Sequence, residues 1–459
     1  MGIGFDIVHG QAIQIKGRTA ELGELNVMID SRKAAVNGLF VPLVGEKFNG
    51  HRFLTQAIAN GAVAALWMER EPLPQQLPDG FPLILVEDTL KALQSMAKAY
   101  LHRQHPLVVA VTGSNGKTTA KDMIYSIVSR VRKTWKTQGN YNNQIGLPLS
   151  ILTMPAGTEV LILEMGMNHF GELTFLSQLA KPDIAVITNI GESHIEFLGS
   201  REGIARAKLE ITIGLKKAAT LIVDGDEPLL RDVKTNAFHI VRCGYGEDND
   251  WTITNVKEAT DGYRFSLNNG MNVYKVPVLG RHNVKNAVYA LTAARLLEVS
   301  AQDIKKGLNE LELTKMRFEK LQGINGALLI NDCYNASPTS MKASLETLKA
   351  LPGFTRRVAV LGDMYELGSQ EEQLHRSVAK VIAPPLTDVV TIGAKAKWIA
   401  EAVESAQNRS VRVRAFTDKT EARAYVASLL DEQTVALFKA SRLLELEELV
   451  KAVSERAQS

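Results

Sequence analysis

Cysteine is nearly absent from this sequence. Cys243 and Cys333 are the two in the chain, far apart and without metal-like spacing, and two free thiols in a reducing cytoplasm fit best. No apolar run approaches the ~18 residues that span a bilayer, so no membrane insertion is expected. The opening Met1-Gly2-Ile3-Gly4-Phe5-Asp6 has no charged n-region with an apolar core, and no signal peptide is expected. Asp6 stands where a myristoylation pattern wants Ser or Thr. An excess of one charge is also missing. The net charge is +3 with no long basic run, so nucleic acid is not implied and an acidic substrate must be held by local sites. There is no internal repeat and no low-complexity tract. What remains is an ordinary globular composition, 45% hydrophobic and 22% charged. A chain of 459 residues suggests about three domains at ~150 residues each.

The most informative stretch is residues 108–119. Val108-Val109-Ala110-Val111 is β-prone, Thr112-Gly113-Ser114-Asn115-Gly116-Lys117-Thr118-Thr119 is a glycine-bracketed turn, and residues 120–131 suit a helix. Strand, glycine loop and helix in that order make an anion site. The helix N-terminus presents unpaired N–H groups and a positive dipole end, and glycines let the backbone wrap close to a phosphate. Lys117 is then expected to reach the β- and γ-phosphates, with the Thr118 hydroxyl on Mg²⁺. Val111 occupies the place of the usual first glycine, so the loop is a shortened variant.

Residues 1–104 read as a small α/β domain. Strands are expected at 38–43, 63–67 and 83–86, a proline-rich loop at 71–82, and a helix capped by Asp88 with Leu90, Leu93, Met96, Ala97 and Leu101 on one face. Residues 105–314 alternate strands and helices, and the apolar runs at 160–164 and 184–189 have the character of parallel strands covered on both faces. Residues 251–278 alternate polar and apolar around Asn268-Asn269-Gly270 and read as an antiparallel insertion. Residues 315–459 place strands at 327–330, 357–361, 389–392, 411–415 and 435–438, the spacing of a doubly wound sheet. The expected class is α/β in three domains: a small N-terminal domain, a central P-loop-type ATPase domain with a mostly parallel sheet, and a C-terminal Rossmann-like domain.

Ligands of parallel sheets sit at the carboxyl ends of strands. Glu164, Asn189 and the phosphate loop all lie at such ends, which predicts one site assembled from three strand tips. A carboxylate after a buried strand is costly without a cation, and Mg²⁺ beside nucleotide phosphates would partner Glu164. His194 follows the next strand. A lone histidine is more often structural, but its place beside two other strand tips favours a role in the site. Lys208, taken by itself, reads as a solvated surface lysine. Ser31 and Arg32, taken by themselves, read as a capped turn with a solvated arginine.

Three segments carry a resemblance. Residues 112–119 look like the ATP loop of the Mur ligases, the ATP-dependent amide ligases that build the peptidoglycan stem peptide. Gly280-Arg281-His282-Asn283-Val284-Lys285-Asn286-Ala287 resembles their second signature, and Asn331-Asp332-Cys333-Tyr334-Asn335-Ala336-Ser337-Pro338 their third. Gln138-Gly139-Asn140-Tyr141-Asn142-Asn143-Gln144, Glu164-Met165-Gly166-Met167-Asn168, His194-Ile195-Glu196-Phe197-Leu198-Gly199-Ser200 and Leu361-Gly362-Asp363-Met364-Tyr365-Glu366 resemble the members that add D-alanyl-D-alanine to a UDP-N-acetylmuramoyl tripeptide. Two departures stand out. The family usually has Asn at Ser337 and Gly at Ala440, and the alanine would obstruct a close approach or alter a turn that needs positive φ.

The resemblance implies γ-phosphoryl transfer from ATP to the tripeptide carboxylate, then attack of the dipeptide amine on the acyl phosphate. It places Gly113, Ser114, Asn115, Gly116, Lys117, Thr118 and Thr119 around the phosphates, and Asn283 and Asn286 on the adenine side. Arg317 would approach the phosphates and Asp332 would hold the ribose. Thr118, Glu164 and His194 would bind Mg²⁺, together with Lys208 as a carbamate on a second Mg²⁺. Lys117, Lys208, His194 and Glu164 form the implied catalytic set. Ser31 and Arg32 become contacts to the uridine nucleotide, and Asn143, Asn335, Ser337 and Arg442 contacts to the remaining substrate. A monomer is expected, with closure of the third domain before chemistry. The competing readings are a third-residue-adding Mur-type ligase, a folylpolyglutamate synthase, and a non-catalytic nucleotide-binding relative.

Overall fold

Three sheets carry the chain, each with its own strand order. The computed structural model describes residues 2–46, 48–259, 261–406 and 410–455. The first sheet runs Ile3–Gly4, Glu24–Met28, Gly38–Phe40, Ala62–Met68, Leu83–Val86, Gln14–Lys16, with parallel pairing inside and antiparallel strands at both edges. The two edge strands and Glu24–Met28 are too short or too polar to show a period in sequence. They become strands by pairing. Asp88 caps the helix Thr89–Gln104, accepting from Lys91 N at 2.9 Å. Leu93, Met96, Ala97 and Leu101 of that helix are buried, whereas Leu90 is half-buried.

The second sheet has nine strands. From Thr134–Lys136 it runs through Val160–Glu164, Leu107–Thr112, Ile184–Ile187, Thr220–Asp224 and His239–Gly244 to Trp251–Ala259, every pair parallel. Gly262–Leu267 and Val273–Val276 then add antiparallel strands. The alternating stretch at 251–278 is thus antiparallel within itself, as its pattern predicts, and continues the main sheet through a parallel pairing. Cys243 pairing with Trp251 and Gly244 with Thr252 makes that continuity. Apolar residues at alternate positions face opposite ways: Val108, Ala110, Leu161, Leu163, Ala185 and Ile187 belong to one core, and Val109, Val111, Val160, Ile162, Ile184 and Val186 to the other. Burial of both faces, at about 25 cal/mol per Å² of apolar area, is what a continuous apolar strand is for. The chain leaves Leu107–Thr112 to one side and returns on the other at Ile184–Ile187, so the phosphate loop lies where the strand order reverses.

The third sheet runs Glu319–Gln322, Leu328–Asn331, Thr434–Lys439, Arg356–Gly362, Asp388–Ile392, Arg412–Phe416. All pairs are parallel except the first, a polar edge strand that carries no periodic signal. Both cysteines are buried and unpaired. Among the described residues no helix is long and apolar enough to cross a membrane.

Candidate active site

The phosphate-loop helix is Lys117–Val128, beginning ahead of the apolar pattern because its first turn is polar. Gly116 precedes it at φ 80°, and Gly113 sits at φ 147° with room for no side chain: a Cβ there would lie 1.9 Å from Thr188 Oγ1. Asn189 at the neighbouring strand tip stitches the loop in place. Its Oδ1 accepts from Asn115 N at 3.0 Å and its Nδ2 donates to Asn115 O at 2.9 Å. Lys117 Nζ donates to Gly113 O at 2.7 Å, so the ammonium lies across the loop. Burial holds Lys117 below its ordinary pKa, opposed by Glu164 and aided by Arg317.

Thr118 and Glu164 meet as expected. Thr118 Oγ1 donates to Glu164 Oε2 at 2.8 Å and accepts from Arg317 Nη2 at 2.9 Å, while Asn142 Nδ2 donates to Glu164 Oε1 at 2.9 Å. Lys121 Nζ, also buried, stands 3.8 Å from Glu164 Oε2. Arg317 lies 4.0 Å over the Tyr334 ring, and its Nε is buried without a partner. Asn143 is used locally. Its Oδ1 accepts from Ile145 N and Gly146 N at 3.1 and 2.9 Å.

His194 adopts φ 65°. Its Nδ1 stands 2.6 Å from Glu366 Oε2 of the third unit. The imidazole beside it holds the Glu366 carboxyl below the usual range. Lys208 overturns the reading of its residue type. It occupies the last turn of the helix Arg201–Leu209 and is 2% exposed. No hydrogen bond or ion pair among the described residues reaches its amine. Burial, then the charge of Lys117, pushes its pKa well below the ordinary value.

The third unit closes the other wall. Asp332 Oδ2 accepts from Lys439 Nζ at 2.5 Å and from Ser344 Oγ at 2.9 Å. Ser337 caps the helix Pro338–Ala350 and also donates to Asn115 Oδ1 at 3.2 Å, so this departure bridges the two units. Asn335 Oδ1 accepts from Ala336 N. Arg442 pairs with Glu447. Asn286 Nδ2 donates to Asn283 Oδ1 at 2.9 Å beneath Gly116. Ala440 is fully buried and outside the left-handed region. Gly362 makes room for its methyl, since a Cβ on Gly362 would lie 2.7 Å from Ala440 Cβ.

These walls enclose a cavity of about 1390 Å³. Ser114, Asn115, Gly116, Lys117, Thr119, Asn143, Glu164, His194, Asn283, Asn286, Arg317, Asp332, Asn335, Ser337 and Arg442 all line it. Gly113 and Thr118, in the loop and the first turn of its helix, are outside the lining, as is the buried Lys208. Ser31 and Arg32 are elsewhere. Ser31 Oγ donates to Gln56 Oε1 at 2.8 Å, and Arg32 forms a two-point pair with Asp30 at 2.9 Å. Asn142, Lys121 and Lys439 escaped the sequence reading, because each is an ordinary polar residue until another segment is folded against it.

Residues 26–101 match a model described as the Mur ligase family catalytic domain, 111–294 the Mur ligase middle domain, and 316–442 the Mur ligase, glutamate ligase domain. The chain belongs to the Mur ligase family. A UDP-N-acetylmuramoyl-tripeptide–D-alanyl-D-alanine ligase of Bacillus subtilis is 45% identical over 94% of this chain and 93% of its own. The structure of MurF from Acinetobacter baumannii superposes with a TM-score of 0.86 at 31% identity, covering 98% of each chain. MurF ligase from Thermotoga maritima, solved in complex with ADP, gives 0.80 at 29% identity over 93% of this chain and 96% of that one. All three units of this Mur ligase thus have counterparts in one solved relative.

Proposed function

We propose that this Mur ligase is an ATP-dependent amide ligase that joins D-alanyl-D-alanine to UDP-N-acetylmuramoyl tripeptide through an acyl phosphate, giving the UDP-muramoyl pentapeptide of peptidoglycan synthesis. The observation that carries it is the meeting of Thr118, Glu164 and Arg317 at the start of the phosphate-loop helix, where Glu164 and Arg317 line a cavity that residues of the third unit also line. Few single small-molecule sites exceed ~1000 Å³, and this volume suits nucleotide and peptide together.

The donor set fits Mg²⁺. A buried hydroxyl 2.8 Å from a carboxylate suits an ion that takes one or two carboxylates and completes its shell with phosphate oxygens and water. Thr118 and Glu164 would hold it, with His194 nearby. When bound, Mg²⁺ supplies charge neutralisation at the transferring phosphoryl group. Lys117 and Arg317 add positive charge where the phosphoryl oxygens gather it. The tripeptide carboxylate attacks the γ-phosphorus and ADP leaves. The dipeptide amine then attacks the acyl carbon, and inorganic phosphate leaves with the acyl C–O bond broken.

Lys208 is suited to carbamylation, because burial and the charge of Lys117 disfavour its cation and the uncharged amine is the nucleophile. Nitrogen would bond to the carbon of CO₂ as a C–O π bond opens and one proton is released, and the resulting anionic pair of oxygens would suit a second Mg²⁺. Ser31 and Arg32 would serve the uridine nucleotide, and Asn143, Asn335, Ser337 and Arg442 the tripeptide and dipeptide. The proposed division is 1–104, 105–314 and 315–459. The enzyme is proposed to act as a cytoplasmic monomer, without nucleic acid or membrane insertion.

Phosphate release with UDP-N-acetylmuramoyl tripeptide tests this reading. It should require D-alanyl-D-alanine and fail with single amino acids. Turnover of a muramoyl dipeptide with a diamino acid would reassign the chain to the third-residue ligases, and no turnover with any acceptor would make it a non-catalytic relative.

A further inference from the structure

Beyond Thr118 the phosphate-loop helix carries a stripe that no substrate role uses. Thr118, Asp122, Ser126 and Arg130 recur every four residues and so lie along one side of the helix and its continuation. The helix Ala301–Asn309 and the connector that follows it toward the third unit pack along that stripe. Arg130 pairs with Glu310, and Ser126 Oγ donates to Gly307 O at 2.7 Å. Asp122 Oδ2 accepts from Thr314 N at 2.9 Å and from Thr314 Oγ1 at 2.7 Å, and Arg317 reaches Thr118. Gly307 permits the approach, because a Cβ there would lie 2.5 Å from Ile127 Cα.

Asp122 is 1% exposed, and its other oxygen accepts from Lys136 Nζ at 2.7 Å, so its carboxylate is immobilised. Beyond Thr314 the grip changes hands. Glu319 Oε2, on the first strand of the third unit, accepts from Met316 N at 3.0 Å and from Asn331 Nδ2 at 3.1 Å. Met316 and Phe318, either side of Arg317, hold φ of 61° and 51°. Residues other than glycine persist in such backbone only where their surroundings over-determine it.

We infer that Asp122 is a positioning residue, which clamps the connector at Thr314 so that Arg317 is delivered to Thr118 and the pivot between the units falls at Lys315. The clamp makes the same helix that receives the nucleotide at its N-terminus the rail for the connector. It rests on the ligase reading above for what Arg317 does at the phosphates, and on the observed hydrogen bonds for everything else.

Steady-state ligation by the full chain tests it. Thr314→Val removes the hydroxyl donor at little change in volume and should lower kcat about tenfold, in line with the loss of a hydrogen bond to a charged group. Thr314→Ser should stay within about twofold. In an Arg317→Ala background the same Thr314→Val change should cost less than about twofold, because the two act as a unit. Losses that multiply in both backgrounds, or no loss in the first, would overturn the clamp.

A second measurement needs no turnover. Dyes on Lys234→Cys and Glu404→Cys, both exposed, report the distance between the units while the two native thiols stay buried. Without nucleotide, the distance distribution should widen in Thr314→Val relative to the parent. If it widens while the parent ligates nothing, the clamp stands and the ligase reading falls. If the parent ligates and the distribution is unchanged, the clamp falls.

Discussion

Replacing Lys439 with methionine isolates the buried pair on the third wall. The Lys439 and Asp332 side chains are 4% and 8% exposed and stand 2.5 Å apart. Without the ammonium, Ser344 Oγ at 2.9 Å is the remaining side-chain donor to Asp332. A buried charge stripped of its partner costs about 3–5 kcal/mol. Protonation of Asp332 sets a ceiling: raising a carboxylate of ordinary pKa ~3.9 to neutrality at pH 7 costs about 4 kcal/mol. The loss should therefore be about 3–4 kcal/mol at pH 7, against a total of ~5–15 for a domain. The midpoint should fall by on the order of 10 °C.

The ceiling moves with pH in a definite direction. Neutralising a carboxylate costs less as pH falls, so the ceiling shrinks to about 1.5 kcal/mol at pH 5. Calorimetry of Lys439→Met at both pH values reads this directly. Lys439→Met with Asp332→Asn should recover most of the stability, because no charge is stranded. It should leave the ATP KM raised if Asp332 holds the ribose, as the resemblance implies. A double variant as unstable as the single one, or a penalty unchanged at pH 5, would refute the charge argument.

Lys208→Ala should reduce turnover severely while ATP still binds, Lys208→Arg should fail equally, and short carboxylates should restore part of the alanine variant's rate; near-normal turnover in Lys208→Ala would remove this lysine from the mechanism. Ala440→Gly should leave the dipeptide KM within a few-fold, whereas Gly362→Ala should cost about 1–3 kcal/mol by overpacking against Ala440; denaturant titration distinguishes them. Against the cost of burial, Lys285 and the Tyr245 and Gly246 N–H groups hold Asp226 at about 2, below its ordinary 3.8. Its contribution is present above pH ~4 and lost as pH falls through about 2, so wild type and Asp226→Asn should converge in stability over that interval. Parallel curves would show that the carboxylate contributes nothing there.

Much of the site was legible because its chemistry is local in sequence. The phosphate loop needs its glycines, lysine and threonine consecutively, since one turn of backbone wraps one phosphate group. Glu164 was legible because a carboxylate closing an apolar strand demands a cation. The resemblance extended this to Asn283, Asn286, Arg317 and Asp332, which all line the cavity. Ser31 and Arg32, which the resemblance assigns to the uridine nucleotide, lie outside this lining.

The α/β class, the inner parallel strands and the phosphate loop follow from residue order alone, because burial on both faces leaves a continuous apolar run and a phosphate turn leaves glycines. The edge strands do not, since their polar residues pair only once a neighbour is in place. Folding in three dimensions is what buries Lys208 and disfavours its cation, brings Lys439 to Asp332, and lets Asp122 hold Thr314. Lys439 and Asp332 are 107 residues apart in the chain, and Asp122 and Thr314 are 192 apart. Burial and pairing at such separations depend on which surfaces the folded chain brings together, and no local pattern records that.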